Sequence, residues 1–502
     1  MPTTTNANQS PGATPGKAGA ATAKFRGTPK VLSRMGRCVF PAIIMTWAFA
    51  SCHNPVAPPP GVQAPRVFPS LHVSIAAGDI DRHNWTRNAT VSLVCPQGGF
   101  EFGFENASAQ VRGRGNSTWF SMGEKRPFRI RFDVPRSMFG GDFAARDWTV
   151  IANAMDYTLM RNYSAYFLGR MLDGQCFAPS GHFVHVYLAG EYRGVYMISD
   201  QVQVHEGRVE LAGSHVPMLS EYFLEWCRRA EGSGDTYFVI PALAGTTSRV
   251  PFVIDYPGGG MLNSGHVQFA QDFVTNVDLA IWRGNYGEVS RLIDVDSFVD
   301  YYLVQELFRN HDVGHSSLRF QIRRTETGSG LFAGPLWDFD FSSGSGQQTR
   351  PNVFDYRPNG EWAARWNPWF RHLMGTEWFV RRVAERWDEI RDDEVARMIE
   401  RIRELEEIYR ACFERNFARW PDKLGNDVFT IPGFQTSPSV MAIPDFAGNV
   451  TYLVSWLEQR ISWMNWFFAR NAAAARHSAP SYEAASTFVH ADETTPGVPY
   501  GW

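Results

Sequence analysis

Leu336-Trp-Asp-Phe-Asp-Phe341 is the stretch on which the reading of this chain turns. It follows a turn at Gly328-Ser-Gly330, a short apolar run and Gly334-Pro335. In extended chain Asp338 and Asp340 point to one face, because strand side chains alternate with period two. Two carboxylates set among Trp337, Phe339 and Phe341 are costly to bury unless something cationic meets them. A divalent metal is one such partner, since hard cations take carboxylate oxygen. A strand end whose acids pair with arginine or cap a following loop is the other. An isolated Asp-x-Asp does not choose between them.

Immediately upstream, Ser317 to Ile322 alternates as a strand. Before it, Arg309-Asn-His-Asp-Val-Gly314 breaks a helix that Asp294 opens and that runs through Tyr301 to Phe308. His266 to Arg283 has the apolar spacing of an amphipathic helix. Downstream, residues 360 to 475 are mostly helical. Glu377 to Trp387 and Asp392 to Arg419 combine helical apolar spacing with many opposite-charge pairs. Asn449 to Phe468 is a last helix whose tryptophans suit a core.

The N-terminal half reads as β. Leu71 to Ile75 and Ala89 to Val94 alternate. Gln110 to Trp119 and Lys125 to Phe132 give strand, glycine turn, strand. Gly113 and Gly115 let backbone approach a ligand, and Arg112, Arg114, Lys125 and Arg126 bring positive charge, a combination that suits phosphate. A plain hairpin with basic edges has the same pattern. A strand at Trp148 to Ala152 leads to a helix from about Thr158, which Asp156 or Thr158 caps. Arg161 and Asn162 fall in its first turn, where a cation opposes the helix dipole. Arg161 therefore holds a carboxylate or phosphate, or forms a buried structural ion pair. His182 to Leu188 and Tyr192 to Ile198 make a hairpin about Gly190, and Tyr222 to Glu225 and Pro251 to Asp255 are further strands.

Composition supports a folded chain: 502 residues, 44% hydrophobic and 14% aromatic, suffice for a large core. A net charge of −3 gives no basic field for nucleic acid. Residues 1–52 read as an unstructured leader followed by a secretory signal, with Met35-Gly-Arg37, an apolar run from Cys38 to Ala50, and Phe49-Ala-Ser-Cys52. That ending resembles a bacterial lipoprotein processing site, so Cys52 is expected to carry lipid and anchor the chain outside the cytoplasm. Residues 53–69 are a Pro-rich linker, 70–470 the folded domain and 471–502 a flexible tail. Cys95, Cys176, Cys227 and Cys412 allow one or two disulfides outside the cytoplasm, or stand as isolated buried thiols.

The order of these features, glycine turn with bases, then a loop acid at Asp312, then Asp-Phe-Asp, echoes protein kinases. The usual kinase signatures are missing. There is no Gly-x-Gly-x-x-Gly and no His-Arg-Asp, and Ser317 stands where an Asn would follow Asp312. The chain instead resembles the CotH-type kinases, named for a spore-coat protein kinase. The resemblance lies in Arg112-Gly-Arg-Gly-Asn-Ser-Thr-Trp119, Lys125-Arg-Pro-Phe-Arg-Ile130, Ala152 to Asn162, Gly190 to Tyr196, Asp294-Val-Asp-Ser-Phe298, Glu306 to Asp312 and Gly334 to Asp340. It departs at Asp200, Trp226, Cys227 and Asn465, where Glu, Ile, Asp and Asp are more typical.

That resemblance implies an α+β, atypical protein-kinase-like two-lobed fold. It also implies ATP-dependent phosphoryl transfer to protein Ser or Thr in a secreted setting. Asp312 would be the catalytic-loop acid, and Asp338 and Asp340 would hold Mg²⁺ or Mn²⁺. Arg114, Lys125, Arg161 and Glu225 would line the ATP site. The competing expectation is a catalytically weak surface lipoprotein that keeps the fold to bind protein or glycan. No Gly-x-Ser-x-Gly supports a hydrolase.

Overall fold

The computed structural model describes residues 67–76, 80–96, 102–115, 117–120, 123–240, 250–314, 316–348, 367–428 and 434–474. The expected signal, Cys52, nearly all of the 53–69 linker and the tail from 475 lie outside the described residues. Alternating sequence builds the first body. Strands β1 (Ser70–Ser74), β2 (Thr86–Val94), β3 (Phe104–Gly113), β4 (Phe128–Arg136), β5 (Ala145–Ile151), β6 (Gly181–Leu188) and β7 (Glu191–Asp200) close into a barrel. Its strand order is β1-β2-β3-β4-β5-β7-β6. Neighbours are antiparallel except at the closure, where β1 runs parallel to β6 with Leu71 opposite Val186.

The pleat sorts side chains between core and surface. Ala109 and Val111 of β3 point into the barrel, opposite Phe132 and Ile130 of β4, so small residues on one strand make room for large ones on the next. Each buried Phe contributes roughly 2 kcal/mol. The intervening Gln110, Arg112, Arg129 and Arg131 are left on the outer face, half-buried.

Beyond β3 comes the turn of helix α1 (Ser117–Phe120). A Cβ at Gly113 would overlap the Trp119 ring, and one at Gly115, where φ is +84°, would overlap Thr118. These glycines make room for the chain's own side chains, which corrects the expectation that they admit a ligand to the backbone. Gly113→Ala is therefore expected to cost about 1–3 kcal/mol through overpacking. An unchanged urea midpoint would show that the Trp119 ring is free to move aside.

The second body is a five-stranded antiparallel sheet wrapped by helices. Its strands are β8 (Tyr222–Trp226), β9 (Tyr237–Ile240), β10 (Val250–Tyr256), β11 (Leu318–Thr325) and β12 (Gly328–Ala333). They lie in the order β12-β11-β8-β10-β9. The helices after α1 are α2 (Arg161–Gly169), α3 (Ser264–Arg283), α4 (Tyr286–Val289), α5 (Val295–Phe308), α6 (Pro368–Leu373), α7 (Glu377–Ile390), α8 (Ala396–Arg419), α9 (Pro438–Met441) and α10 (Phe446–Ala474). A small ladder pairs β13 (Gly346–Gln348) with β14 (Phe434–Thr436). Helix α5 is buried on every side from Ser297 to Phe308, as its nearly continuous apolar run requires. Asp294 caps its start by accepting from the Ser297 amide at 2.8 Å, and Arg309, at φ +46°, ends it.

The α+β expectation holds: strands dominate the N-terminal half and helices the C-terminal part. Particular elements differ. Helix α2 begins at Arg161 rather than Thr158, because Asp156 Oδ1 holds the Thr158 amide in a turn while Oδ2 accepts from Arg161 N. Helix α10 runs to Ala474, past the expected limit at residue 470. Cys95, Cys176, Cys227 and Cys412 are all free thiols. Among the described residues, no helix is long and apolar enough to cross a membrane. The Trp-Asp-Phe-Asp stretch is not a strand, and Asp338 sits at φ +66°. The period-two argument for a shared face therefore does not apply.

Candidate functional site

Two loops bring the acids together. One follows α5 and carries Asp312; the other follows β12 and carries Asp338 and Asp340. Buried Asn310 ties them: its Nδ2 donates to the Asp338 carbonyl at 3.0 Å, and its Oδ1 accepts from the Asp312 amide at 3.2 Å. Asn162 of α2 accepts from the Phe339 amide at 2.7 Å. Ser317 Oγ donates to Asp338 Oδ2 at 3.1 Å. Several left-handed non-glycine residues, Arg309, Ser317, Asp338 and Ser343, fall in these loops. Such strain persists only where the surroundings over-determine it, and it concentrates at functional sites.

Burial and mutual repulsion raise the pKa of both carboxyls. Asp338 is pushed up first by burial and then by Asp312, while Arg114 and the Ser317 hydroxyl pull it down. Asp340 is pushed well above the ordinary range by burial, Asp338, Asp312 and Asp156, in that order. Neither has an ion-pair partner among the described residues. The Asp312 side chain is 27% exposed and Asp338 is also half-buried, whereas Asp340 is buried. His311 Nδ1 lies 3.6 Å from Asp312 Oδ1, but burial lowers the imidazole pKa to about 3, so the ring is neutral there near pH 7.

Cationic groups line one side. Half-buried Arg114 lies over the Trp337 ring at 5.0 Å, and Asp338 and Asp340 support its charge against burial. Across the second sheet, Arg319 of β11 pairs with Glu225 of β8 at 3.0 Å and also with Asp255 of β10. Burial raises the Glu225 pKa, with Arg319 acting against it and Asp338 adding to it. Arg114, Glu225, Asp312, Asp338 and Asp340 thus share one electrostatic neighbourhood.

Lys125 and Arg161 lie behind it. The Lys125 ammonium is buried against the Val195 carbonyl at 3.0 Å, the Ala152 carbonyl and the Tyr196 ring, and burial lowers its pKa to about 7. Arg161 is fully buried. It pairs with Asp156 and donates to the Ser342 and Ser343 carbonyls at 3.0 and 3.2 Å. It clamps the loop after Asp340, which is the ion-pair alternative for this residue rather than contact with a ligand. Sequence reasoning did not single out Asn310 or Arg319, and marked Ser317 only as standing where kinases carry an Asn. Asn310 sits inside the quoted Glu306 to Asp312 segment, and its position two residues before the loop acid was the available signal.

Chemically, two carboxylates with raised pKa, Asp340 buried and Asp338 half-buried, neither with an ion-pair partner among the described residues, suit a hard divalent ion. Among the described residues no three His, Cys, Asp or Glu side chains enclose an ion unaided. A Mg²⁺ site built from one or two carboxylates, completed by water and phosphate, needs no third. Acids of that kind beside guanidinium groups define a candidate phosphate-handling centre. The chain belongs to the CotH kinase protein family, whose profile matches residues 111–464, from within β3 into α10. Membership points to a kinase-like function. No curated protein matches the chain at a significant level.

Proposed function

We propose that the protein is an atypical kinase that transfers the γ-phosphoryl group of ATP to a Ser or Thr hydroxyl of a protein. The observation that carries this reading is the pair formed by half-buried Asp338 and buried Asp340, both with raised pKa, with Asp312 and Arg114 beside it. In this proposal the barrel and the sheet-and-helix body form the two sides of a divergent kinase-like cleft. Arg114 follows barrel strand β3, and Glu225 belongs to β8 of the sheet. Asp338 and Asp340 would hold Mg²⁺ or Mn²⁺, which when bound offsets phosphate charge. Arg114 adds a fixed positive charge toward the phosphates. Asp312, whose side chain is partly exposed, orients the acceptor hydroxyl and accepts its proton. Asn310 ties the two loops that carry these acids to each other. The cell-surface setting, with lipid on Cys52, belongs to the same proposal and rests on the signal-like sequence alone.

Incubation with labelled ATP and Mg²⁺ or Mn²⁺ tests the reaction. The wild-type protein is expected to label itself or a Ser/Thr substrate. Asp312→Asn and Asp338→Ala should each reduce labelling by roughly 10²-fold or more. Equal labelling in all three, or nucleotide binding without transfer, would leave a binding protein that merely keeps the fold.

A further inference from the structure

The barrel's outer face carries positive charge that the proposed chemistry does not use. Arg112 of β3 lies directly across from Arg129 of β4. Like charges at paired positions repel, so an empty site of this kind is destabilising. Arg82, in the loop before β2, belongs to the same group. Its pKa is lowered by burial and then by Arg112 and Arg114. That of Arg129 falls to about 10, through burial and then Arg114 and Arg112, with Asp147 acting against them. None of Arg82, Arg112 or Arg129 has a carboxylate partner among the described residues, whereas neighbouring Arg131 is paired with Asp147 at 2.8 Å. The Nε–H groups of Arg82, Arg112 and Arg129 are buried with nothing accepting from them. Trp85 lies against both Arg112 and Arg131, with ring-to-guanidinium distances of 4.9 and 4.4 Å.

The patch leads toward the acids. Arg112 and Arg114 are two residues apart at the end of β3, and Arg114 stands against Trp337 and Asp338. Alternate residues of an extended chain are separated by about 7 Å. An extended peptide laid along β3 repeats at that same interval. Its target hydroxyl at Asp312 would then place flanking side chains over Arg112, Arg129 and Arg82.

We propose that this arginine face is the docking track for the acceptor polypeptide, and that the acceptor carries Asp or Glu beside its Ser or Thr. The inference rests on the kinase reading above and names the substrate class for that site. A triphosphate is the competing anion. Arg114 and a divalent ion already oppose its charge at the acids, while Arg112 lies two residues before Arg114 and Arg129 lies across the ladder from Arg112.

The test uses the full-length protein and three peptides: a central Ser flanked by Glu and Asp, by Ala, or by Lys and Arg. Phosphorylation is followed by label incorporation. Binding to the Asp338→Ala protein is followed by fluorescence anisotropy, so docking is read even without transfer. Nucleotide affinity is measured separately with a fluorescent ATP analogue. The acidic peptide should bind best, and weaken as salt is raised. Arg112→Ala/Arg129→Ala should raise its KM by about tenfold or more and leave nucleotide affinity unchanged. Arg112→Glu/Arg129→Glu should shift the preference to the basic peptide. This inversion needs a folded protein and so excludes simple unfolding as the cause. Equal binding of the three peptides overturns the proposal. So does a loss of nucleotide affinity in the alanine variant with peptide binding intact, which would assign the arginines to the triphosphate. Acidic-peptide binding that tracks Arg112 and Arg129, without phosphate transfer to any peptide, would keep the docking face and reject the kinase reading.

Discussion

In divalent-free buffer at neutral pH, Asp340→Asn is expected to melt above the wild-type protein, although it transfers phosphate roughly 10³-fold more slowly. The two effects have one origin. Asp340 is buried, has no ion-pair partner among the described residues, and is repelled by Asp338, Asp312 and Asp156. Its folded-state pKa is raised, so between the ordinary value of 3.8 and that raised value the native protein binds more protons than the unfolded chain. Stability therefore falls as pH rises through that window. Above it the full penalty stands, and every tenfold gain in proton affinity on folding adds about 1.4 kcal/mol to it. Asparagine has nearly the same shape without the charge, and its amide can donate to Asp338. The variant should lose this part of the pH dependence. Mn²⁺ should raise the melting temperature of the wild type more at pH 8 than at pH 5, because the acids must shed protons to bind it. It should do little for Asp340→Asn. A variant that melts lower than wild type at pH 8 without metal would mean that the carboxylate is stabilised by a partner, and the metal reading would fail with it.

How far the sequence foretold this arrangement depends on whether the determining contacts are local. Strands β1 to β4 of the barrel were legible because they alternate within themselves, and Asp294 announced α5 because a cap acts over three residues. Closure of the barrel was not legible. It depends on β1 lying beside β6, more than a hundred residues later, and no local pattern encodes that pairing. Strand β9 was missed because Tyr237–Ile240 is short and continuously apolar, a pattern that periodicity cannot assign. The acids of the site were legible as residue types, but the reason they converge was misread. Left-handed Asp338, the Asn310 bridge and the Asn162 contact to Phe339 bring them together, not a shared strand face. Arg161 shows the same limit. Its position against the helix dipole was visible, but its partner, the loop at Ser342 and Ser343, lies far along the chain.

Arg460→Met is expected to give the largest loss of stability, about 3–5 kcal/mol. Arg460 of α10 and Glu306 of α5 are both fully buried and pair at 3.0 Å, and Arg460 Nε also donates to the Glu306 carbonyl at 3.0 Å. That carbonyl is near the C-terminal end of α5, where a cation is favoured by the helix dipole. Methionine fills similar space but takes the guanidinium away from a fully buried carboxylate charge, and that charge accounts for most of the expected loss. Removing it as well should recover stability, so Glu306→Gln/Arg460→Met is expected to unfold at higher urea than Arg460→Met alone. A double-mutant cycle on urea midpoints, with unchanged slopes, reads the coupling directly. The effect should reach the site. Three residues after Glu306 the helix ends at Arg309, and the next residues are Asn310 and, two further on, Asp312. Loosening the end of α5 should therefore displace the Asn310 bridge between the two acid loops. Hydrogen exchange at the Asp312 amide, which donates to Asn310 Oδ1, should accelerate in Arg460→Met before global unfolding is detectable. If the single variant loses less than about 1 kcal/mol, or the double variant is no better, water has reached Glu306 and the pair is not the anchor of α5.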